Sequence, residues 1–134
     1  MEQEELTGRV IGCAMTVHRK LGPGFLESVY QKALAHELRK AGIGVLCERP
    51  LVVMYDGIVV GEFSADMVIE ETVLVENKAV RALVPAHEVQ LVNYLSATGK
   101  DVGLLINFGG FSLEFKRKYR RYRPGSDEQK SGQD

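Results

Sequence analysis

The segment VLVENKAV, residues 73–80, begins like the middle of a buried strand and then places polar side chains where apolar ones would continue it. Alternate side chains of a strand point to the same face of a sheet. Glu76 and Lys78 therefore share one face with Leu74, while Val75 and Asn77 lie on the other. The strand thus carries a carboxylate and an ammonium side by side at a position where packing alone favours neither.

A second carboxylate faces Glu76 if the turn before this strand contains three residues, 70–72. In that register Ile69 pairs with Val73, and Asp66 lies opposite Glu76 on the same face. A two-residue turn would move Asp66 to the opposite face. The longer turn also collects apolar side chains on the other face, namely Phe63, Ala65, Met67, Ile69, Val73 and Val75. Hydrophobic patterning and carboxylate clustering therefore favour the same register.

Two adjacent carboxylates repel each other unless a cation or a shared proton lies between them. A divalent metal satisfies such a pair, and oxygen ligands without Cys or His favour Mg²⁺ or Mn²⁺ over Zn²⁺. Lys78 lies one strand repeat, about 6 to 7 Å, from Glu76. It suits a lysine that orients an attacking water or stabilises charge developing on phosphorus. The alternative is a salt bridge between Lys78 and Asp66 on a solvated face, the commoner situation for an isolated Glu-x-Lys pattern.

Glu27 adds a third acidic position. It lies three residues before Tyr30, so it continues the apolar stripe of its helix and is predicted to point inward, where it needs a partner. The alternative interpretation is an acidic residue that stabilises the first turn of the helix through the macrodipole.

The next helix carries three polar side chains on one face, His87, Gln90 and Tyr94. Their helical spacing predicts a polar surface that holds a substrate or a water. The alternative is that each is a boundary residue satisfied by hydrogen bonds within the protein.

Apolar residues at helical spacing predict three helices. The first begins at Thr7, which caps it, and ends at the GPG turn of residues 22–24. The second ends at Gly42, and the third begins at Pro85 and is closed by Gly99. The apolar stripes of the first two helices are Val10, Ala14, Val17, Leu21 and Tyr30, Leu34, Leu38, Ala41.

Residues 50–80 contain three β-rich runs, separated by Asp56-Gly57 and by the turn at 70–72, which predicts an antiparallel meander. VGLLINF at 102–108 is typical of a strand buried on both faces. The last strand, SLEFKRKYR, alternates and carries basic residues. Helices and strands in this order predict an α/β sandwich around a mixed sheet.

Length and composition set the outer limits. A chain of 134 residues forms one domain, here residues 1–123, followed by a polar tail at 124–134 that is predicted to be disordered. Cys13 and Cys47 lie outside zinc and disulfide spacings and are interpreted as reduced thiols. No signal peptide or membrane-spanning run is visible, which predicts a cytoplasmic protein without membrane partners.

Charge is unevenly distributed along the chain. The run KRKYRRYR, residues 116–123, holds six of the seventeen basic residues, which leaves eleven basic against eighteen acidic residues elsewhere. An acidic body does not attract nucleic acid, so any long-range steering would come from this run.

Several ordered motifs resemble a known family. GFLESVY, which contains Gly24, Glu27 and Tyr30, resembles the signature of the GxxExxY protein family of the PD-(D/E)XK nuclease superfamily. SADMVIEETVLVENKAV resembles the Asp then Glu-x-Lys segment of the superfamily. QLVNY resembles the Gln-x-x-x-Tyr helix motif of its RecB-like members, and GLLINFG resembles the closing strand of the family. The resemblance covers residues 6 to 122.

This resemblance implies a restriction-endonuclease-like αβββαβ core and hydrolysis of DNA or RNA by a Mg²⁺- or Mn²⁺-activated water. The implied roles are metal binding by Asp66, Glu76 and the carbonyl of Asn77, catalysis by Lys78, an acid near the metal at Glu27, and an accessory pair at Gln90 and Tyr94. Two positions depart from the pattern: Ala65 replaces the proline, and Asn77 stands where relatives carry an apolar residue. A polar side chain there needs hydrogen-bond partners or costs stability.

Two other functions stay open at this point. A noncatalytic module could keep the fold and bind a protein or nucleic acid, with phosphate contacts and base stacking from the basic strand. The residues concerned are Lys116, Lys118, Arg120 and Arg121, together with Tyr119 and Tyr122. The same run is also typical of a solvated edge strand. The carboxylates could instead form a structural ion-pair cluster. For a nuclease of this small size, a protein partner or a second copy of the chain is expected to supply specificity.

Overall fold

Three helices and five strands form the fold in a computed structural model that describes residues 2–121. In chain order they are α1 (Gln3–Leu21), α2 (Glu27–Lys40), β1 (Val45–Tyr55), β2 (Ile58–Ile69), β3 (Val73–Lys78), α3 (Pro85–Thr98), β4 (Val102–Asn107) and β5 (Glu114–Tyr119). This order confirms the α/β prediction. The predicted tail at 124–134, the domain boundary at 123 and Tyr122 lie outside the described residues.

The five strands form one mixed sheet in the order β1-β2-β3-β4-β5. The first three are antiparallel neighbours, as the meander prediction required. β4 runs parallel to β3, which needs a crossover, and α3 supplies it. β5 then pairs antiparallel with β4 and forms one edge of the sheet, while β1 forms the other.

Both turns of the meander follow the predicted chemistry. Asp56 and Gly57 connect β1 and β2 with φ angles of 52° and 77°, the left-handed backbone that a tight two-residue hairpin requires. Ile69 pairs with Val73, which confirms the three-residue turn between β2 and β3. That turn sets the register on which the candidate site depends.

The sheet separates two hydrophobic clusters. The larger lies under α1 and α2 and includes Leu104 and Ile106 of β4, whereas the smaller lies under α3 and includes Leu105. Successive residues of β4 thus enter different cores, and every residue of the strand is buried. The prediction of a strand buried on both faces is confirmed.

The start of α1 differs from the sequence prediction. The helix begins at Gln3, and Thr7 is a buried residue within it, with its hydroxyl donating to the Glu4 carbonyl at 3.0 Å. Leu6 and Val10 continue the apolar stripe by one more turn, and acidic side chains in the first turn stabilise the helix N-terminus. The prediction that Thr7 caps the helix is therefore wrong.

β2 does not keep a single apolar face. Met67 belongs to the core under α1 and α2, but Ala65 belongs to the core under α3, and Phe63 packs against that second cluster. The face changes at Asp66, whose N–H binds the Glu76 carboxylate at 3.0 Å. The prediction that Phe63 and Ala65 share a face with Met67 is wrong, because strict alternation is interrupted at the candidate site.

Candidate metal and catalytic site between β2 and β3

The two predicted carboxylates lie side by side where β2 and β3 stop pairing. The backbone register between these strands ends at Met67 and Val75. Beyond it, Glu76 Oε2 accepts a hydrogen bond from the Asp66 N–H at 3.0 Å, and Asp66 Oδ2 accepts one from the Asn77 N–H at 2.7 Å. Each carboxylate thus accepts a hydrogen bond from a backbone N–H of the neighbouring strand, in place of a backbone carbonyl. These hydrogen bonds hold both carboxylates in position.

The environment disfavours the charged form of both groups. Burial, and then the charge of Asp66, raises the pKa of Glu76 to about 7. Burial also raises the pKa of Asp66 to about 6, with further contributions from Glu27 and Glu48, although the Asn77 N–H opposes this shift. At neutral pH the pair is poised to accept either a proton or a cation.

Lys78 is half-buried and lies on the same strand as Glu76. Its charge lowers the pKa of both carboxylates, but among residues 2–121 it makes no ion pair with either of them. The alternative interpretation, a salt bridge between Lys78 and Asp66, is therefore not what the fold forms. The ammonium is available for a group that enters the site.

Glu27 is the first residue of α2 and is exposed. The prediction that it points into the core is wrong, because the buried stripe of α2 begins only at Tyr30, one turn later. Its charge nevertheless raises the pKa of Asp66 and of Glu76, so it faces the same site.

The loop before Glu27 is fixed by Tyr30, which is fully buried. The Tyr30 hydroxyl donates to the Gly22 carbonyl at 2.5 Å and accepts from the Phe25 N–H at 3.1 Å. Gly24 lies between them with a φ of 111°, where a side chain would be strained. The three residues therefore have separate physical roles. Gly24 allows the turn, Tyr30 holds the loop in place, and Glu27 supplies the carboxylate that follows the loop.

Tyr94 of α3 lies near the carboxylates. Burial, and then the charges of Glu76 and Asp66, raises the pKa of its hydroxyl. Its ring stacks on Phe63 with centroids 3.8 Å apart, which ties α3 to β2 beside the site. Gln90 is exposed one helical turn earlier.

His87 shares that helix face but has a different role. Its Nδ1 accepts a hydrogen bond from the Val84 N–H at 3.1 Å and so caps the start of α3. Of the three polar side chains on this face, Tyr94 lies near the carboxylates and His87 caps the helix, while the role of Gln90 stays a prediction.

Asn77 is fully buried, as the strand parity required. Its Nδ2 donates to the Met67 sulfur at 3.3 Å, a weak acceptor. Its Oδ1 is buried without a hydrogen-bond partner among the described residues. The predicted need for partners is thus only half met.

Glu48 of β1 is a site residue that the sequence did not reveal. It has a left-handed φ of 55°, and its charge raises the pKa of Asp66. Its carboxylate accepts hydrogen bonds from Gln31 at 2.7 Å and from Ser64 at 3.3 Å. An acidic residue before Arg-Pro in an edge strand resembles an ordinary solvated position, so the sequence carried no signal of this role.

The basic strand is largely engaged with the rest of the fold. Lys118 Nζ lies 3.0 Å from Glu88 of α3, and Arg120 Nη2 lies 2.6 Å from Asp101. Lys116 shares a sheet face with Lys118 by strand parity, and Arg121 is exposed. The four predicted phosphate-binding residues therefore do not act as one uncommitted surface.

Comparison with known proteins identifies the fold. A family model described as the PD-(D/E)XK nuclease superfamily matches residues 4–121. The chain belongs to this superfamily. Asp66 and the Glu76-Asn77-Lys78 segment have the residue types of the lettered motif in its name, with Ala65 in place of proline.

The crystal structure of SSO0001 is similar in fold, with a TM-score of 0.59 at 17% sequence identity. The similarity covers 77% of this superfamily member and 56% of the SSO0001 chain, so the protein spans little more than half the length of that structure. No curated protein matches the sequence. Among the described residues, no helix is long and apolar enough to cross a membrane.

Proposed function

We propose that this protein is a Mg²⁺- or Mn²⁺-dependent nuclease that hydrolyses phosphodiester bonds in DNA or RNA. Within the superfamily we assign it to the GxxExxY family. The observation that carries the proposal is the half-buried Asp66 carboxylate next to the buried Glu76 carboxylate, with pKa values raised to about 6 and about 7, beside a lysine that pairs with neither. Such an arrangement costs stability and is explained by a ligand that the carboxylates and the lysine share.

The donor atoms suit a small hard cation. One oxygen of each carboxylate is used by a backbone N–H, which leaves Asp66 Oδ1 and Glu76 Oε1 for a metal, joined by the carbonyl of Asn77. Within residues 2–121, no cluster of three or more His, Cys, Asp or Glu side chains has metal-binding geometry. Mg²⁺ typically uses one or two carboxylates together with several waters, so two carboxylates are sufficient.

The side chains around the pair would divide the remaining tasks. A bound divalent cation supplies Lewis-acid activation of the attacking water and of the phosphate. Lys78 places a positive charge where charge develops on the phosphate oxygens. Glu27, exposed at the helix start, accepts a proton from a water or orients it. Tyr94 and Gln90 bind the substrate from the α3 side.

Metal binding and cleavage test the proposal together. We expect wild-type protein to bind Mg²⁺ or Mn²⁺ in calorimetry and Asp66→Asn to lose that binding. Lys78→Ala should abolish cleavage of DNA or RNA while it keeps the fold. Glu62→Gln is a matched control for Asp66→Asn, because Glu62 is an exposed acidic residue of the same strand, β2.

Two results would contradict the nuclease assignment. The first is well-folded wild-type protein that binds neither metal in the presence of nucleic acid, which would leave a noncatalytic binding module. The second is destabilisation by Asp66→Asn without any response to added metal, which would identify a structural ion-pair cluster.

A further inference from the structure

A cavity of about 380 Å³ lies among three loops, those between α1 and α2, after β3 and after β4. It is lined by Pro23, Arg81, Gly109, Gly110 and Phe111. Pro23 lies four residues before Glu27, and Arg81 follows Lys78 by three residues. Two of the loops that form the cavity walls are thus continuous with the elements that carry two of the proposed catalytic side chains. Its size is in the range of small-ligand sites.

Buried side chains hold these walls in place. Asn107, fully buried, accepts hydrogen bonds from the Val80 N–H at 2.9 Å and from the Gly109 N–H at 3.0 Å, and it donates to the Val80 carbonyl at 2.9 Å. A Cβ at Gly109 would collide with the Val80 backbone, so the two loops are in direct contact. His18 of α1 binds the Gly110 carbonyl at 2.8 Å. The cavity is therefore preorganised.

The lining combines an exposed aromatic ring with an uncommitted positive charge. The Phe111 side chain is 96% exposed, the most exposed of the large apolar residues described. The Arg81 guanidinium makes no hydrogen bond or ion pair with any residue of 2–121, in contrast to Lys118 and Arg120. A ring face and a guanidinium close together are complementary to a base and a phosphate.

We propose that this cavity binds one nucleotide of a single-stranded nucleic acid, with its base stacked on Phe111 and a phosphate on Arg81. The inference rests on the proposed nuclease function and specifies its substrate as single-stranded. A base inside a duplex is stacked on its neighbours and cannot present its face to Phe111, whereas an unpaired base can.

Binding assays separate this inference from cleavage. Lys78→Ala protein with Mg²⁺ is titrated into fluorescein-labelled single-stranded DNA and RNA and into the corresponding duplexes, with anisotropy as the readout. In this background we expect Phe111→Ala to weaken single-strand binding by about 5- to 150-fold. Phe111→Trp should preserve it. Tyr55→Ala is the matched control, because Tyr55 is an exposed aromatic residue at the β1–β2 hairpin tip, away from the cavity.

Salt dependence tests the phosphate contact. Arg81→Ala should reduce the slope of log K against log salt by about 0.7, the value for one phosphate contact to a single strand. Arg81→Lys should keep the slope, since the charge remains. An unchanged slope in Arg81→Ala would overturn the phosphate assignment.

These assays distinguish failure of the nucleotide-binding proposal from failure of the nuclease proposal. If Phe111→Ala binds single strands as wild type does while wild-type protein still cleaves nucleic acid, the subsite is wrong and the nuclease stands. An equal loss of duplex and single-strand binding in Phe111→Ala would overturn the single-strand specificity. Wild-type protein that neither binds nor cleaves any of the four substrates would remove both proposals.

Discussion

Charge is treated differently at two places in the same sheet. On β5 and just after it, basic side chains meet acidic partners: Lys118 lies 3.0 Å from Glu88, and Arg120 lies 2.6 Å from Asp101. Between β2 and β3, the half-buried Asp66 carboxylate lies next to the buried Glu76 carboxylate, and Lys78 pairs with neither within the described residues. The first region satisfies its charges within the fold. The second leaves them for a ligand.

This difference explains why the more basic segment is the weaker functional candidate. A run of Lys and Arg stands out in the sequence, but side chains held in ion pairs must give up those partners to bind phosphate. The carboxylate pair is less conspicuous in composition, yet it is where the fold tolerates unfavourable electrostatics. Such local costs are typical of functional sites.

The largest effect is expected for Glu76→Gln. Loss of a metal-binding carboxylate should reduce the single-turnover cleavage rate by roughly 10³-fold or more. The same change removes a desolvated charge that repels Asp66, while the amide oxygen can still accept the Asp66 N–H. The free energy of unfolding, measured with urea in the presence of EDTA, should therefore rise. A variant that is both inactive and less stable would indicate that Glu76 stabilises the fold.

The stability of the metal-free protein should fall as the pH rises. Both carboxyl groups have folded-state pKa values, about 6 for Asp66 and about 7 for Glu76, above their ordinary values of 3.8 and 4.5. The folded state therefore holds more protons between these limits. The stabilisation is fully present below the unfolded-state values and is lost as the pH passes through the folded-state values. With allowance for partial solvent exposure, we expect a loss on the order of 3 kcal/mol.

The pH dependence is measured by urea unfolding in EDTA, as the difference in unfolding free energy between wild type and an Asp66→Asn/Glu76→Gln double variant. The double variant should lack the loss of stability that comes from these two carboxyl groups. Mg²⁺ affinity should change in the opposite direction and increase over the same interval, because the metal needs deprotonated ligands. A wild-type stability that rises with pH relative to the double variant would contradict the raised pKa values.

Much of the fold followed from local signals in the sequence. Asp56-Gly57 allows the left-handed backbone of a tight hairpin, and Pro85 and Gly99 delimit α3. The three-residue turn at 70–72 fixed the pairing of Ile69 with Val73 and so placed Asp66 beside Glu76. Because the turn sets the register, one correct turn length determined which two residues face each other across the strands.

The errors arose where the site itself breaks regular structure. Parity could not predict that Ala65 and Met67 of β2 enter different cores on either side of Asp66, whose N–H binds a side chain of β3 and not its backbone. Glu48 was missed since its role depends on a left-handed φ and on Gln31 and Ser64 from other elements. Glu27 was expected to continue the apolar stripe of α2 inward, but that stripe is buried only from Tyr30 onward.

A moderate effect is expected from breaking the ion pair that joins β5 to α3. The Lys118 and Glu88 side chains are 11% and 19% exposed, so removal of either leaves a poorly solvated charge. Lys118→Ala should lower the free energy of unfolding by about 2 kcal/mol, with little change in the single-turnover cleavage rate. Arg121→Ala, at an exposed position, should cost less than about 0.5 kcal/mol.

Nucleic-acid binding assays can contradict this role of the Lys118–Glu88 ion pair. If Lys118→Ala leaves stability unchanged but lowers affinity for single-stranded DNA and its salt slope, then β5 is a phosphate-binding surface and the contrast drawn above fails. A double-mutant cycle with Glu88→Ala gives the coupling between the two side chains directly. A coupling energy near zero would likewise show that the pair does not stabilise the fold.

The smallest effect is expected for substitution of Asn77. Such a substitution changes the side-chain amide but leaves the backbone carbonyl that is proposed to bind the metal. Its buried Oδ1 makes no hydrogen bond among the described residues, and its Nδ2 has only the Met67 sulfur. Asn77→Leu has a similar shape and removes both polar groups, so it should raise the free energy of unfolding by about 1 kcal/mol. The backbone carbonyl proposed for metal binding remains, and Mg²⁺ affinity and cleavage should be unchanged. A loss of Mg²⁺ binding in a stable Asn77→Leu protein would instead make the side-chain amide part of the metal site.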